Sequence, residues 1–125
     1  MKVILLSIIT LFLTACASTG LYNSKTCSNW IQCDDTADCA ALLYNRATSI
    51  MSESQQLAKN KLFISAGEGY RTAALMLRCA NAKLAAAQLN NFEDWKMANI
   101  FGLGDNIKKA INKCDRRARS YQWRR

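Results

Sequence analysis

Residues 66–87, AGEGYRTAALMLRCANAKLAAA, decide the fold, because small and apolar residues recur there at three- and four-residue steps. That spacing places them along one face of a helix. Gly67 and Gly69 each cost about 1 kcal/mol relative to alanine inside a helix, and we interpret them as positions where a neighbouring helix approaches closely. The same period extends the predicted helix to about residues 61–89, with a face formed by Phe63, Ala66, Tyr70, Ala73, Leu77, Ala80, Leu84 and Ala87.

Three further helices are predicted around this one. The first spans about residues 36–58, after N-cap candidates at residues 34–36, and a short one covers about residues 92–100. The last follows a glycine-containing turn at residues 101–104 and begins at Asp105 as its cap. The chain has no proline and a single valine, so residues typical of strands are scarce. The sequence therefore predicts an all-α fold, a small bundle of about four helices that contains a long helical hairpin.

The N-terminus has the features of a secretory leader. Lys2 supplies a positive charge, and residues 3–13 form an apolar run of eleven residues. This run is too short to cross a hydrocarbon core, which needs roughly 20 helical residues. It matches the apolar region of a signal peptide, and it ends in the sequence LTAC at residues 13–16.

The LTAC sequence resembles the lipobox of bacterial lipoproteins. The resemblance implies that residues 1–15 are a signal peptide removed just before Cys16, and that the Cys16 thiol receives a diacylglycerol. It also implies an outer-membrane position facing the periplasm, since Ala17 follows the cysteine where inner-membrane lipoproteins of enteric bacteria have Asp. Two alternatives stay open: a buried apolar helix with an incidental cysteine, and an ordinary secreted protein cut near Ala17 or Ser18. We expect residues 16–33 to be the lipidated cysteine and a tether, and residues 34–125 to be the helical domain.

Five more cysteines follow Cys16, and export would place them in an oxidising compartment where disulfides persist. Zinc is the competing interpretation of such a set. The chain has no histidine, and the first three of these cysteines are separated by five residues each time, which is wider than the usual zinc-ligand spacing. We therefore expect a disulfide-braced domain with no metal and no cofactor. The candidate disulfide cysteines are Cys27, Cys33, Cys39, Cys79 and Cys114.

The helical hairpin suggests how these cysteines pair. If the two long helices fold back on each other near residue 60, Cys39 lies opposite about residue 81 and close to Cys79, which predicts a Cys39–Cys79 bridge. Cys114 is predicted to face inward on the last helix and to bond either Cys33 or Cys27. Because five is an odd number, the unused one of those two would be left as an unpaired thiol.

Positive charge is concentrated at the C-terminal end. The whole chain has a net charge of +8, and residues 105–125 contain eight basic and two acidic residues. The basic residues lie opposite an apolar stripe that includes Ile107, Ala110 and Tyr121. The candidate partner-binding residues are Lys108, Lys109, Lys113, Arg116, Arg117, Arg119, Trp123, Arg124 and Arg125, with Trp123 as an aromatic anchor.

Few residues point to catalysis. Without histidine, the usual general base for a serine or cysteine nucleophile is absent. Glu68, in the sequence AGEGY, could act in a small cell-wall enzyme, but no recognisable motif surrounds it. Glu93 and Asp94 are more simply first-turn residues that complement a helix dipole.

The sequence favours a non-catalytic, lipid-anchored envelope protein that binds an acidic partner through the basic helix. An accessory or scaffold subunit of a secretion or transfer apparatus is the example we expect. The partner would be an acidic envelope protein, anionic lipid or lipopolysaccharide, with peptidoglycan carboxylates a weaker candidate and nucleic acid not expected at this location. The alternatives are an exclusion or immunity-type lipoprotein that acts alone, the Glu68 enzyme, and a basic face that is merely solvated.

Overall fold

The computed structural model describes Cys27 and residues 33–122. This part of the chain contains no strand and forms four helices, which confirms the predicted all-α fold. The first three helices have bounds within two residues of the predicted ones. The last helix begins at Leu103, so Asp105 lies in its first turn and the prediction that Asp105 caps it is wrong. The helices are α1 (Ala37–Lys59), α2 (Phe63–Asn90), α3 (Phe92–Ile100) and α4 (Leu103–Gln122).

Helix α2 is the centre of the bundle, with α1 and α4 packed antiparallel to it. The α1–α2 turn contains Lys61 in the left-handed backbone region, with φ of 63°, and the Leu62 amide donates to the Leu57 carbonyl at 2.9 Å. This arrangement satisfies carbonyls at the end of α1 and sends the chain back along it. At the other side of α2, the end of α4 returns to the start of α2, where the rings of Phe63 and Tyr121 stack with centroids 5.8 Å apart.

Burial follows the predicted faces closely. Every residue of the predicted α2 face is buried except Phe63, which packs against the core while partly exposed. Helix α2 is buried on more than one side because it has a neighbour on each. Its buried residues are Ala66, Gly67, Tyr70, Ala73, Ala74, Met76, Leu77, Cys79, Ala80, Lys83, Leu84 and Ala87.

The beginning of α1 is held by two side chains. Thr36, one of the predicted cap candidates, accepts a hydrogen bond from the Cys39 amide at 3.1 Å. Asp94 of α3 accepts a hydrogen bond from the Ala37 amide at 2.8 Å. A carboxylate at this position also complements the positive end of the α1 dipole. Asp94, interpreted from the sequence as serving its own helix, therefore stabilises a different one.

The disulfides brace the domain, but the pairing differs from the predicted one. Cys27 bonds Cys79, with Cα atoms 5.3 Å apart, and Cys33 bonds Cys39, with Cα atoms 5.9 Å apart. The predicted Cys39–Cys79 bridge is therefore wrong, and so is the prediction that Cys114 bonds Cys33 or Cys27. Among the described cysteines the unpaired thiol is the buried Cys114, and not Cys27 or Cys33 as predicted.

The correction has a geometrical reason. Axes of packed helices lie about 8–10 Å apart, whereas bonded cysteines have Cα atoms about 4.4–6.8 Å apart. A non-helical segment can approach a helix more closely than a second helix does. Cys27 and Cys33, which precede the first helix, therefore form the disulfides with the two helical cysteines: Cys27 with Cys79, and Cys33 with Cys39.

Candidate basic-helix interface

Helix α4 has one apolar and one basic face. Its apolar face packs on α2, with Gly67 leaving room for the helix: a Cβ built there would lie 3.6 Å from the Cβ of Tyr121. The buried residues of this face are Ile107, Ala110, Cys114, Ala118 and Tyr121. Ten residues between Ile107 and Tyr121 are not buried, and six of these ten are Lys or Arg. The amphipathic pattern predicted from the sequence is therefore the pattern of packing.

The basic face is largely exposed. Among the predicted binding residues, Arg117 alone is half-buried within the described part of α4, and it donates a hydrogen bond to the Tyr121 hydroxyl at 3.3 Å. That bond raises the pKa of Arg117 above its usual value, so the side chain stays charged. The last three predicted residues, Trp123, Arg124 and Arg125, lie outside the described residues. The exposed members are Lys108, Lys109, Lys113, Arg116 and Arg119.

One acidic residue of α4 lies among these basic residues and is paired with another helix. Asp115 accepts a hydrogen bond from Arg78 of α2 at 2.8 Å, and both side chains are partly exposed. Because Asp115 is engaged by Arg78, it does little to offset the lysines and arginines beside it. From Lys108 to Arg119 the basic face extends about 16 Å along the helix.

The surface around α4 is open and shallow. Two depressions of about 500 Å³ each lie along the basic face and share Arg116. A groove of about 390 Å³ separates α4 from α1, with Tyr70 and Met51 in its lining and Lys109 and Lys113 along its α4 side. Such an open surface suits contact with another macromolecular surface better than enclosure of a small molecule.

The candidate catalytic carboxylates are not gathered into a site. Glu68 and Glu93 are exposed on α2 and α3 respectively, and neither lines the grooves around α4. The neighbouring Gly69 faces α1, where a Cβ would overlap the Ser54 hydroxyl. The glycines on either side of Glu68 are thus explained by packing against α1 and α4, as interpreted from the sequence.

Cys114 is a buried thiol beneath the basic face. Burial raises its pKa to about 11, and the neighbouring Asp115 carboxylate adds to the increase. Burial also raises the pKa of Tyr70, the large side chain between α1 and α4. A thiol with this pKa is protonated near neutral pH and a weak nucleophile, so Cys114 has the properties of a packing residue.

One charged residue in the core was missed in the sequence analysis. Lys83 is 5% exposed, and its ammonium donates to the Cys33 carbonyl at 3.0 Å and to the Asp35 carboxylate at 3.1 Å. It therefore fixes the segment that leads into α1. The sequence contained an indication of this burial. Lys83 stands next to Leu84 and four residues after Cys79, on the apolar surface of α2, where a buried lysine needs partners for its charge.

Neither a metal site nor a membrane-spanning helix is found in the described part of the chain. Within Cys27 and residues 33–122, no group of three or more cysteine, aspartate or glutamate side chains is placed to hold a metal ion. Over the same residues, no helix has the length and apolar character required to span a membrane. The predicted signal peptide and Cys16 lie outside this part.

Comparison with known proteins gives no relative for this chain. No protein-family model, no curated protein and no solved structure matches it. Function is therefore argued from the chain's own residues.

Proposed function

We propose that this protein is a non-catalytic lipoprotein of the bacterial cell envelope that binds an acidic partner protein through α4. The observation that carries the proposal is the row of five exposed basic side chains along α4, with the intervening Asp115 already paired to Arg78. A contiguous surface of one charge attracts and orients a partner of the opposite charge.

The anchor in this proposal rests on the resemblance of residues 13–16 to a lipobox. A diacylglycerol on Cys16 would hold the domain at the membrane, since each buried CH₂ contributes about 0.8 kcal/mol and two or more chains anchor a protein stably. Ala17 favours the outer membrane. An accessory or scaffold subunit of a secretion or transfer apparatus is the role that fits a small tethered domain with one charged binding face.

The test compares two double charge reversals that change the net charge equally. Arg116→Glu with Arg119→Glu removes charge from the basic face, and the control pair, Arg46→Glu with Lys59→Glu, removes it from exposed positions on α1. Each lipoprotein is crosslinked in cells and captured from whole envelopes, and the captured proteins and its own intact mass are measured by mass spectrometry.

We expect a stoichiometric partner with the wild type and the control pair, loss of that partner with the variant reversed at Arg116 and Arg119, and an acylated mass in all three. A partner retained equally by that variant would contradict the assignment of the binding face. An acylated wild type without any partner would contradict the assembly-subunit role, and an unacylated mass would remove the anchor.

A further inference from the structure

One end of the bundle exposes a cluster of large apolar side chains. Helix α3 directs Trp95 and Ala98 against the core and has no fully buried residue, so most of its apolar surface faces outward. Leu89 at the end of α2 is 86% exposed, and Phe101 in the turn before α4 is 78% exposed. The exposed apolar residues at this end, here called the apolar cap, are Leu89, Phe92, Met97, Ile100 and Phe101.

Exposure of this kind is informative because soluble domains seldom leave contiguous large apolar side chains in water without a covering surface. The opposite end of the bundle has Leu62 and Ile64 exposed, with Lys59 and Lys61 beside them. The apolar cap is larger, contains two phenylalanines, and gathers on a nine-residue helix and its flanking turns.

The segment that leads into α1 is held near this same end. Asp94, on the α3 helix of the apolar cap, binds the Ala37 amide at the first residue of α1. Lys83 holds Cys33 and Asp35, immediately before that point, against the last third of α2. The residues that lead into α1 are thus fastened near the end of the molecule that presents the apolar cap.

The Cys27–Cys79 disulfide limits how far the domain can stand from the lipid. Ten residues lie between Cys16 and Cys27, so the eleven Cα–Cα steps of a fully extended chain span at most about 40 Å. Cys79 lies ten residues before Leu89 on α2, about 15 Å along the helix. The apolar cap is therefore well within reach of the bilayer that would hold the lipid.

We infer that the apolar cap inserts into the lipid surface beside the anchor. In this upright orientation the long helices stand on the membrane, with the apolar cap in the bilayer and the opposite end of the bundle away from it. This inference rests on the proposed anchor at Cys16. Phenylalanine, leucine, isoleucine and methionine side chains at the end of a tethered domain can enter the headgroup and upper acyl region, and Lys96 and Lys108 can extend to the phosphates around them.

The orientation has a consequence for the basic face. Arg119 lies sixteen residues beyond Leu103 on α4, which places it about 24 Å further from the apolar cap along the helix. Electrostatic attraction to headgroups falls off over about 8 Å at physiological ionic strength. Arg116 and Arg119 would therefore be held clear of the bilayer and turned toward a partner protein, which favours protein over lipid as the target of α4.

The test measures the depth of a tryptophan reporter in the bilayer. Full-length lipidated protein with Trp30→Phe and Trp123→Phe retains Trp95 on α3, and the emission of this parent protein, measured under every condition, is subtracted from that of each reporter variant. Phe101→Trp adds a reporter at the apolar cap, and Leu62→Trp adds a matched control at an exposed apolar position at the opposite end. Each protein is reconstituted into phosphatidylcholine vesicles with and without brominated acyl chains, and circular dichroism checks that each remains helical.

We expect the Phe101→Trp emission to shift to shorter wavelength in vesicles and to lose most of its intensity to brominated lipid, while the Leu62→Trp emission does neither. Equal quenching of the two reporters, or no quenching of either, in proteins that float with the vesicles would show that the upright orientation is wrong. The anchor would still be supported in that case. If the protein lacks acyl chains and does not float, both the anchor and this inference are overturned. Loss of partner binding in the Arg116 and Arg119 variants leaves the quenching unchanged, so failure of the two proposals can be told apart.

Discussion

The Cys114 side chain is a thiol that the fold keeps from reacting. It is fully buried against α2, and its pKa is raised to about 11 by burial and by Asp115. For the acylated protein, in which the lipid blocks the Cys16 thiol, we predict negligible labelling by a thiol reagent in the native state at pH 7.5. After denaturation without reductant we predict one labelled thiol per chain. Rapid native labelling would show that the site is open, and no thiol after denaturation would show that Cys114 is bonded.

The same residue makes stability depend on pH at the alkaline end. The usual pKa of the thiol is 9.0, and the folded value is about 11, so the folded state keeps its proton longer than the unfolded state does. Stabilisation is therefore complete below about pH 9 and is lost as the pH rises through about 11, by at most about 3 kcal/mol. Tyr70 acts in the same direction. We predict that Cys114→Ala flattens the decline between pH 9 and 11 in urea titrations, and an unchanged slope would contradict this.

Two glycines of α2 should respond oppositely to the same substitution. Alanine improves helix stability over glycine by about 1 kcal/mol, and the Cβ of Gly67→Ala would make only ordinary contact with Tyr121. In Gly69→Ala the Cβ would overlap the Ser54 hydroxyl, which is buried and donates to the Ile50 carbonyl at 2.8 Å. We predict higher thermal stability for Gly67→Ala and lower for Gly69→Ala, with partial rescue by Ser54→Gly. Equal shifts for the two would disprove the close approach of α1 and α2.

Helix α1 depends on a carboxylate from α3. Removing Asp94 leaves the Ala37 amide without its acceptor and removes negative charge from the α1 N-terminus. We predict that Asp94→Ala lowers the free energy of unfolding by about 1–2 kcal/mol, measured by urea denaturation. Glu93→Ala, at the adjacent exposed position on the same short helix, serves as the control and should change stability by less than about 0.5 kcal/mol. A similar loss in both would assign the effect to α3 itself.

At the scale of the whole molecule, some features of the fold could be predicted from the sequence and others could not. Helix bounds and buried faces were predictable because α1, α2 and α4 repeat apolar residues at helical spacing over several turns. The cysteine pairing was not predictable, since it depends on where Cys27 and Cys33, which precede the first helix, lie against the helices. The contact of Asp94 with Ala37 joins residues 57 positions apart, and no local pattern encodes it.

The candidate site was predictable in composition and only partly in geometry. The alternation of basic and apolar residues on α4 indicated one charged face, and Lys108 to Arg119 lie on it. The pairing of Asp115 with Arg78 was not foreseeable, because it required the register between α4 and α2. That pairing is what leaves the basic face as a nearly uniform positive surface.

The most direct measurement of the central claim is photocrosslinking in living cells from a residue within the basic face. A benzophenone amino acid replaces Ser120, which is exposed on α4 beside Arg116 and Arg117, or Ser49, which is exposed on α1. We predict that position 120 crosslinks to a partner protein and position 49 does not, and that Arg116→Glu with Arg119→Glu abolishes the product. No crosslink from position 120, or the same product from position 49, would contradict the claim that α4 is the surface through which this protein works.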